Sequence, residues 1–221
     1  MKTALIVIDV QNDFCPGGAL AVNGGDEIIP LINAMWQHYD VRCLTQDWHP
    51  VGHSSFASSH EGKAPFDITK MFYGNQVLWP DHCIIGSNGA AFHPNLKTDD
   101  ANIIVRKGSN HAVDSYSAFF ENDHKTPTGL HGYLQTLGVT HIDLAGLATD
   151  YCVAYSALDA ATLGYKVKVL EAACRAIDLD GRWTRPAQRC VQPASRWSVK
   201  WSILLPASGT TNGRSILLSG L

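Results

Sequence analysis

An α/β fold with a mainly parallel sheet is the architecture this chain predicts, and three observations predict it. Short β-branched runs alternate with helix-like segments through most of the sequence. The runs are nearly continuous in apolar residues, as strands covered on both faces must be. A length of 221 residues, 45% hydrophobic and 17% charged, suits one well-buried core and is short for two. The expected organisation is one three-layer domain over residues 1–180 and an atypical basic tail over residues 181–221.

Residues 5–10, 41–45, 102–106, 142–145 and 166–170 read as strands; residues 26–38, 128–137 and 151–163 read as helices. In the last helix Val153, Ala154, Ala157, Leu158, Ala160 and Ala161 supply a broad small-residue face, and Gly164 provides a stop. Parallel sheets place their sites beyond the carboxyl ends of the strands. That rule singles out the positions after Ile8, Leu44, Val105 and Ala145. From the 50s to about residue 100 the chain is loop-like, rich in Ser, Gly and Pro, and a loop that long in one domain marks function or a misread element.

Composition excludes some classes. A net charge of -3 gives no case for nucleic acid or an anionic membrane as partner. No apolar run approaches the roughly 20 residues that span a bilayer. The opening apolar stretch, residues 2–8, is stopped by Asp9 too early for a signal peptide, and reads as a buried first strand. Six cysteines without a CxxC pair read as reduced thiols in a cytoplasmic protein. The oligomeric state is left open, a homo-oligomer included.

Asp9 ends the first strand within an apolar run; buried there it needs a partner, and a tuned pKa would suit a general base, although a cap for the following turn fits the same residues. Lys107 lies at another strand end, where a solvated lysine is the ordinary outcome unless a buried acid such as Asp9 faces it. Cys152 stands between a strand and an alanine-rich helix, whose first-turn N–H groups favour thiolate and could hold an oxyanion; a small packed cysteine is the alternative. Asp47 and His49, two apart, point the same way if extended, and with His53 and His82 form a candidate set for a divalent metal. Ten histidines make chance pairings common. Phe14, Trp79 and Tyr116 lie near these residues in sequence and can be core or ligand contacts.

Taken together, residues 8–14 (IDVQNDF), 47–50 (DWHP) with His53, 79–83 (WPDHC), Lys107-Gly108 and 146–152 (GLATDYC) resemble the nicotinamidase/pyrazinamidase family within the isochorismatase-like cysteine hydrolases. The resemblance covers roughly residues 4 to 178. It implies a single-domain Rossmann-like sandwich and a triad of Asp9, Lys107 and Cys152. It implies Asp47, His49 and His82 as metal ligands with His53 beside them, and zinc or iron, with manganese as a further candidate, ahead of magnesium. Phe14 and Trp79 would flank a pyridine ring, with Tyr116 nearby, and a cis Leu147–Ala148 peptide would aim backbone N–H groups at the oxyanion. The implied reaction is hydrolysis of nicotinamide, and of pyrazinamide, through a cysteine thioester in NAD salvage. Another hydrolase of the superfamily, or an inactive relative that binds metal and ligand only, stays open.

The resemblance ends near Asp178. Residues 181–221 hold six basic residues and no acid, whereas the first 180 residues carry 11 basic and 20 acidic ones. Pro186 and Pro193 interrupt any helix, and a frameshifted reading of the gene would produce such a break. The tail is expected to pack poorly and not to complete the sheet. Limited proteolysis checks this: proteinase K, which has little sequence preference, should cut between residues 182 and 196 well before it cuts within residues 151–163, and equal protection of the two would make the tail an integral part of the domain.

Overall fold

Alternation along the first strand shows how the layers form. In β1 (Lys2–Ile8) the side chains of Ala4, Ile6 and Ile8 enter one hydrophobic cluster and those of Leu5 and Val7 the other. A strand with apolar residues on both sides has to be covered on both sides. A computed structural model of the protein describes residues 1–179 and 199–202. It contains β1, β2 (Val41–Asp47), a hairpin of β3 (Ile68–Met71) and β4 (Gly74–Val77), β5 (Ile103–Lys107), β6 (Val139–Leu147), β7 (Lys166–Arg175) and β8 (Val199–Ser202). The main sheet runs β5-β2-β1-β6-β7-β8 and every pairing in it is parallel.

One face carries α1 (Ile29–Met35), where Ile28, Ile29, Ile32 and Trp36 pack on Leu5, Val7 and Leu44. The other carries α2 (Leu130–Thr136) and α3 (Ala154–Thr162). There Leu130, Leu134, Ala157, Ala160 and Ala161 meet the opposite side of β1, β2 and β6. The spacing of these residues, three or four apart, is the helical stripe that burial requires. The expected α/β sandwich is therefore the fold. The first and third helices are shorter than their expected spans, because residues 25–28 and 36–38 are 3₁₀ and residues 149–153 a π-turn.

Two expectations are corrected. The segment from the 50s to 100 is not all loop, since β3 and β4 pair antiparallel from Ile68↔Val77 to Met71↔Gly74. Its turn is Phe72-Tyr73, lacking the Gly or Asn that marks a tight hairpin in sequence. Secondly, β8 belongs to the stretch expected to leave the sheet incomplete, yet its backbone pairs with β7 from Val167↔Val199 to Leu170↔Ser202. The sequence Val-Lys-Trp-Ser alternates apolar and polar residues, as a strand at the edge of a sheet does. The rest of the expected tail lies outside the described residues.

Strand order reverses between β1 and β6, and the carboxyl ends of those two strands approach closely. Gly146 has φ +123, and a Cβ there would fall 2.1 Å from the Ile8 carbonyl oxygen and 2.6 Å from its nitrogen. Only glycine fits. Gly146→Ala should cost on the order of 3 kcal/mol through backbone displacement and strain; urea unfolding measures this, and an unshifted midpoint would mean that the two strand ends separate freely.

Candidate active site and metal centre

The crevice outside the switch point between β1 and β6 is where doubly wound sheets bind ligands. Asp9 follows β1, Asp47 and Lys107 end the neighbouring strands β2 and β5, and Cys152 follows β6. Asp47 and Lys107 are direct partners in the β2–β5 register. Four strand ends thus deliver two acids, one amine and one thiol to one place.

The Lys107 side chain is fully buried and its Nζ is the meeting point. It lies 2.9 Å from Asp9 Oδ2, pairs with Asp47 Oδ1, donates to the Ser115 carbonyl at 2.8 Å and reaches Cys152 Sγ at 3.5 Å. Burial disfavours the ammonium charge, but Asp47 and Asp9 reverse that and lift Lys107 well above its ordinary value. Burial likewise opposes ionisation of Asp47; Lys107 outweighs it, with help from His49 and His82, and holds this carboxyl well below the usual range. Asp9 goes the other way. Burial raises it to about 6, against the pull of Lys107 and of a 2.6 Å hydrogen bond from Thr45 Oγ1. The two acids therefore differ in kind: Asp47 is a fixed anion, and Asp9 can hold or release a proton near neutrality.

Cys152 lies in the π-turn Thr149–Val153, a geometry frequent at functional sites. Burial pushes its thiol well up, Lys107 opposes this, and Asp9 and Asp47 add to it. Burial and the two acids thus oppose the preference for thiolate that a helix start gives. The Leu147–Ala148 peptide is cis, as the sequence resemblance implies.

Beside Lys107, Asp47 Oδ2 lies 3.7 Å from His49 Nε2 and 3.8 Å from His82 Nε2. His49 Nδ1 hydrogen-bonds the Gly108 carbonyl at 2.9 Å and His82 Nδ1 the Pro80 carbonyl at 2.8 Å. Each Nδ1 thus donates to a backbone carbonyl, and each ring turns its Nε2 toward the same point. His49 Nε2 has no hydrogen-bond partner although it is buried. An orphaned imidazole nitrogen, a second one and an ionised carboxylate within 4.8 Å of each other fit a divalent cation. Gly108 serves this ring directly, since at φ +68 a Cβ would lie 2.4 Å from His49 Cε1.

His53 stacks beside His49 with ring centroids 4.6 Å apart, and its nitrogens are occupied. Nε2 donates to the Asn110 carbonyl at 2.8 Å, and Nδ1 accepts from Ser55 Oγ at 2.8 Å. It reaches a further grouping with His49 and Asp114 within 4.8 Å, rather than the Asp47–His82 pair.

A cavity opens over these groups, with Asp47, His82, Ala148 and Cys152 in its lining. Phe14, Trp79 and Tyr116 are all in its wall, so the three aromatic residues proposed from sequence come together. Tyr151 stands with them, 4.8 Å from Trp79 and 5.5 Å from Tyr116 between centroids, each contact edge-on. Leu20, Asp114 and Ile177 complete the wall. Sequence reasoning missed these last four; Tyr151 alone carried a signal, its place next to Cys152. It also missed Gln11, a fully buried amide that accepts from Asp47 N–H at 2.8 Å and donates to Asp47 C=O at 2.9 Å, fixing that acid as a strand partner would. Asp150 was missed too: its carboxylate accepts the N–H groups of Ile177 at 3.0 Å and Asp178 at 2.8 Å.

The isochorismatase domain matches residues 3–191, and the chain belongs to that family. A nicotinamidase of Acinetobacter baylyi is 52% identical over 178 residues, 80% of this chain and 83% of the relative. A nicotinamidase of Escherichia coli is 43% identical over 180 residues, 80% and 84% of the two chains. Among solved structures, an Acinetobacter baumanii nicotinamidase/pyrazinamidase is 53% identical with a TM-score of 0.80, covering 81% of this chain and 87% of that one. A pyrazinamidase of Pyrococcus horikoshii in complex with zinc is 34% identical with a TM-score of 0.65, covering 81% and 89%.

A base must be ionised to act, and Asp9 is protonated below its raised pKa of about 6. The rate constant kcat/KM should therefore fall about tenfold per pH unit below that value and level off above it. A pH–rate profile with bound metal quantified at every point checks this; a profile flat down to pH 5 at constant metal would take the base role from Asp9.

Proposed function

We infer that the protein hydrolyses nicotinamide to nicotinate and ammonia, serving the salvage of NAD, and that it also takes pyrazinamide. One observation carries the reading: a single buried amine, Lys107 Nζ, touches the Asp9 carboxylate and the Cys152 sulfur while pairing with an acid of the metal cluster. Nucleophile, base and cation site are thereby held at fixed separations, with Cys152, Asp47 and His82 in the lining of one aromatic-walled cavity. Nicotinamidase relatives at 43–52% identity over most of the chain agree with it.

Asp47, His49 and His82 would hold a divalent metal, zinc or iron by the softness of imidazole and with manganese as a further candidate, and His53 would pack behind them as support. Bound there, the metal supplies a Lewis-acid anchor for the ring nitrogen of a pyridine. Phe14, Trp79 and Tyr116 wall the ring by apolar and edge contacts. Asp9 takes the Cys152 proton as the sulfur attacks the carboxamide carbon. Backbone N–H groups of Ala148 and Cys152 receive the oxyanion. The C–N bond breaks as Asp9 returns the proton to the departing nitrogen, so that ammonia leaves and a thioester remains. Asp9 then takes a proton from water, whose oxygen attacks the thioester carbon, and Cys152 leaves as sulfur that regains the proton. Lys107 stays charged throughout and offsets the negative charge that passes between oxygen and sulfur.

Free cysteines at Cys15, Cys43, Cys83, Cys152 and Cys174 fit the cytoplasmic location proposed from sequence. No helix among the described residues is long and apolar enough to cross a membrane. The partner is the small-molecule substrate; nothing in its charge recommends nucleic acid or a membrane surface.

Ammonia release from nicotinamide by the purified protein, with and without chelator, tests the reading. Turnover should appear with the parent, vanish with chelator and return with zinc or iron. Cys152→Ala should lose activity by at least about a thousandfold while binding nicotinamide within about threefold of the parent. Benzamide, which lacks the ring nitrogen, should be a poor substrate. Full activity after chelation would point to another hydrolase of the superfamily, and nicotinamide binding without ammonia release to an inactive relative.

A further inference from the structure

The β3–β4 hairpin is mostly exposed, with Phe72 at its tip 78% accessible, yet Gln76 within it is only 1% accessible. Core packing does not account for a buried glutamine between Asn75 and Val77. Its hydrogen bonds do. Gln76 Nε2 lies 2.8 Å from the Tyr116 hydroxyl and 2.8 Å from Asp114 Oδ2, and Gln76 Oε1 accepts from Asn122 Nδ2 at 3.2 Å and from the Tyr73 hydroxyl at 3.1 Å. Asn122 Oδ1 in turn accepts the Tyr116 N–H at 2.9 Å. Gln76 therefore holds Tyr116 at both ends, the hydroxyl directly and the backbone through one amide. The same hydroxyl accepts the indole N–H of Trp79 at 3.2 Å, three residues farther along the chain from Gln76.

From this geometry we infer that Gln76 is a positioning residue of the substrate cavity, fixing the Tyr116–Trp79 wall and thereby the affinity for the pyridine ring. The inference rests on the nicotinamide reading. Gln76 is not among the residues lining the cavity, and its hydrogen bonds reach Cys152 and Asp9 at no point, so its effect belongs to binding rather than to the chemical steps. A buried amide whose partners all lose their bonds together transmits its loss to the ring it orients.

The test is a double-mutant cycle on the metal-loaded protein with nicotinamide as substrate. Gln76→Met keeps the volume and removes every hydrogen bond; Tyr116→Phe keeps the ring and removes the hydroxyl. Gln76→Met should raise KM about tenfold with kcat within about threefold, and most of that effect should be absent in the Tyr116→Phe background. In a Cys152→Ala protein, calorimetry should find nicotinate bound about tenfold more weakly when Gln76→Met is added. A lower melting temperature with KM unchanged, a fall in kcat at constant KM, or full additivity of the two substitutions would overturn the inference. Should Gln76→Met fail to fold, Asn122→Ala cuts the other arm and must raise KM in the same way; an unchanged KM there overturns it as well. A parent protein silent on nicotinamide would bring down the functional reading and this inference together, whereas an active parent with an indifferent Gln76→Met brings down this inference alone.

Discussion

The ammonium of Lys107, enclosed between the carboxylates of Asp9 and Asp47, is the interaction on which the remainder of the site rests. A lone buried charge would cost several kcal/mol, and each of the three would be untenable without the others. Set together they carry one net negative charge, which the neighbouring histidines and a bound cation can offset. The sheet makes this assembly cheap in entropy, because register alone brings Asp47 opposite Lys107 and places Asp9 one strand away. No long, flexible segment has to be ordered to form it.

The same triple contact explains how two carboxylates a few ångströms apart acquire different duties. Asp47 receives the amine and faces two imidazoles, which together outweigh burial in favour of its charge, while the Gln11 side-chain amide fixes its backbone. Asp9 shares the amine but sits in the drier position, with one threonine hydroxyl for relief. Environment, rather than residue type, separates the anion that ligates from the acid that exchanges protons.

Much of this was legible in the sequence. Nearly continuous apolar runs at residues 5–8, 41–44 and 103–105 announced strands, and just beyond their carboxyl ends stood Asp9, Asp47 and Lys107. What stayed hidden depended on contacts between segments distant along the chain. The hairpin β3–β4 lacked a turn signature and holds little apolar surface, so no periodicity marked it. Gln11, Gln76 and Asp150 are polar residues whose roles depend on backbone groups or side chains 27 or more positions away. The surroundings of the Cys152 thiol were hidden for a related reason: local position suggested a helix dipole, while burial and acids contributed by other strands push the thiol up.

The Asp150 tether has a consequence for how much chain an active unit requires. Base, lysine, metal cluster and nucleophile all lie at or before position 152, which would suggest that a polypeptide ending after α3 holds everything needed for chemistry. The cavity wall says otherwise. Ile177 is part of it, and it is kept there by a carboxylate two residues before the nucleophile that grips the amides of Ile177 and Asp178. A fragment shorter than that would own the reactive groups but leave them facing bulk water, where a thioester has no shelter and a ring no fourth side. The minimal autonomous unit therefore extends through Asp178, 26 residues beyond the sulfur it serves.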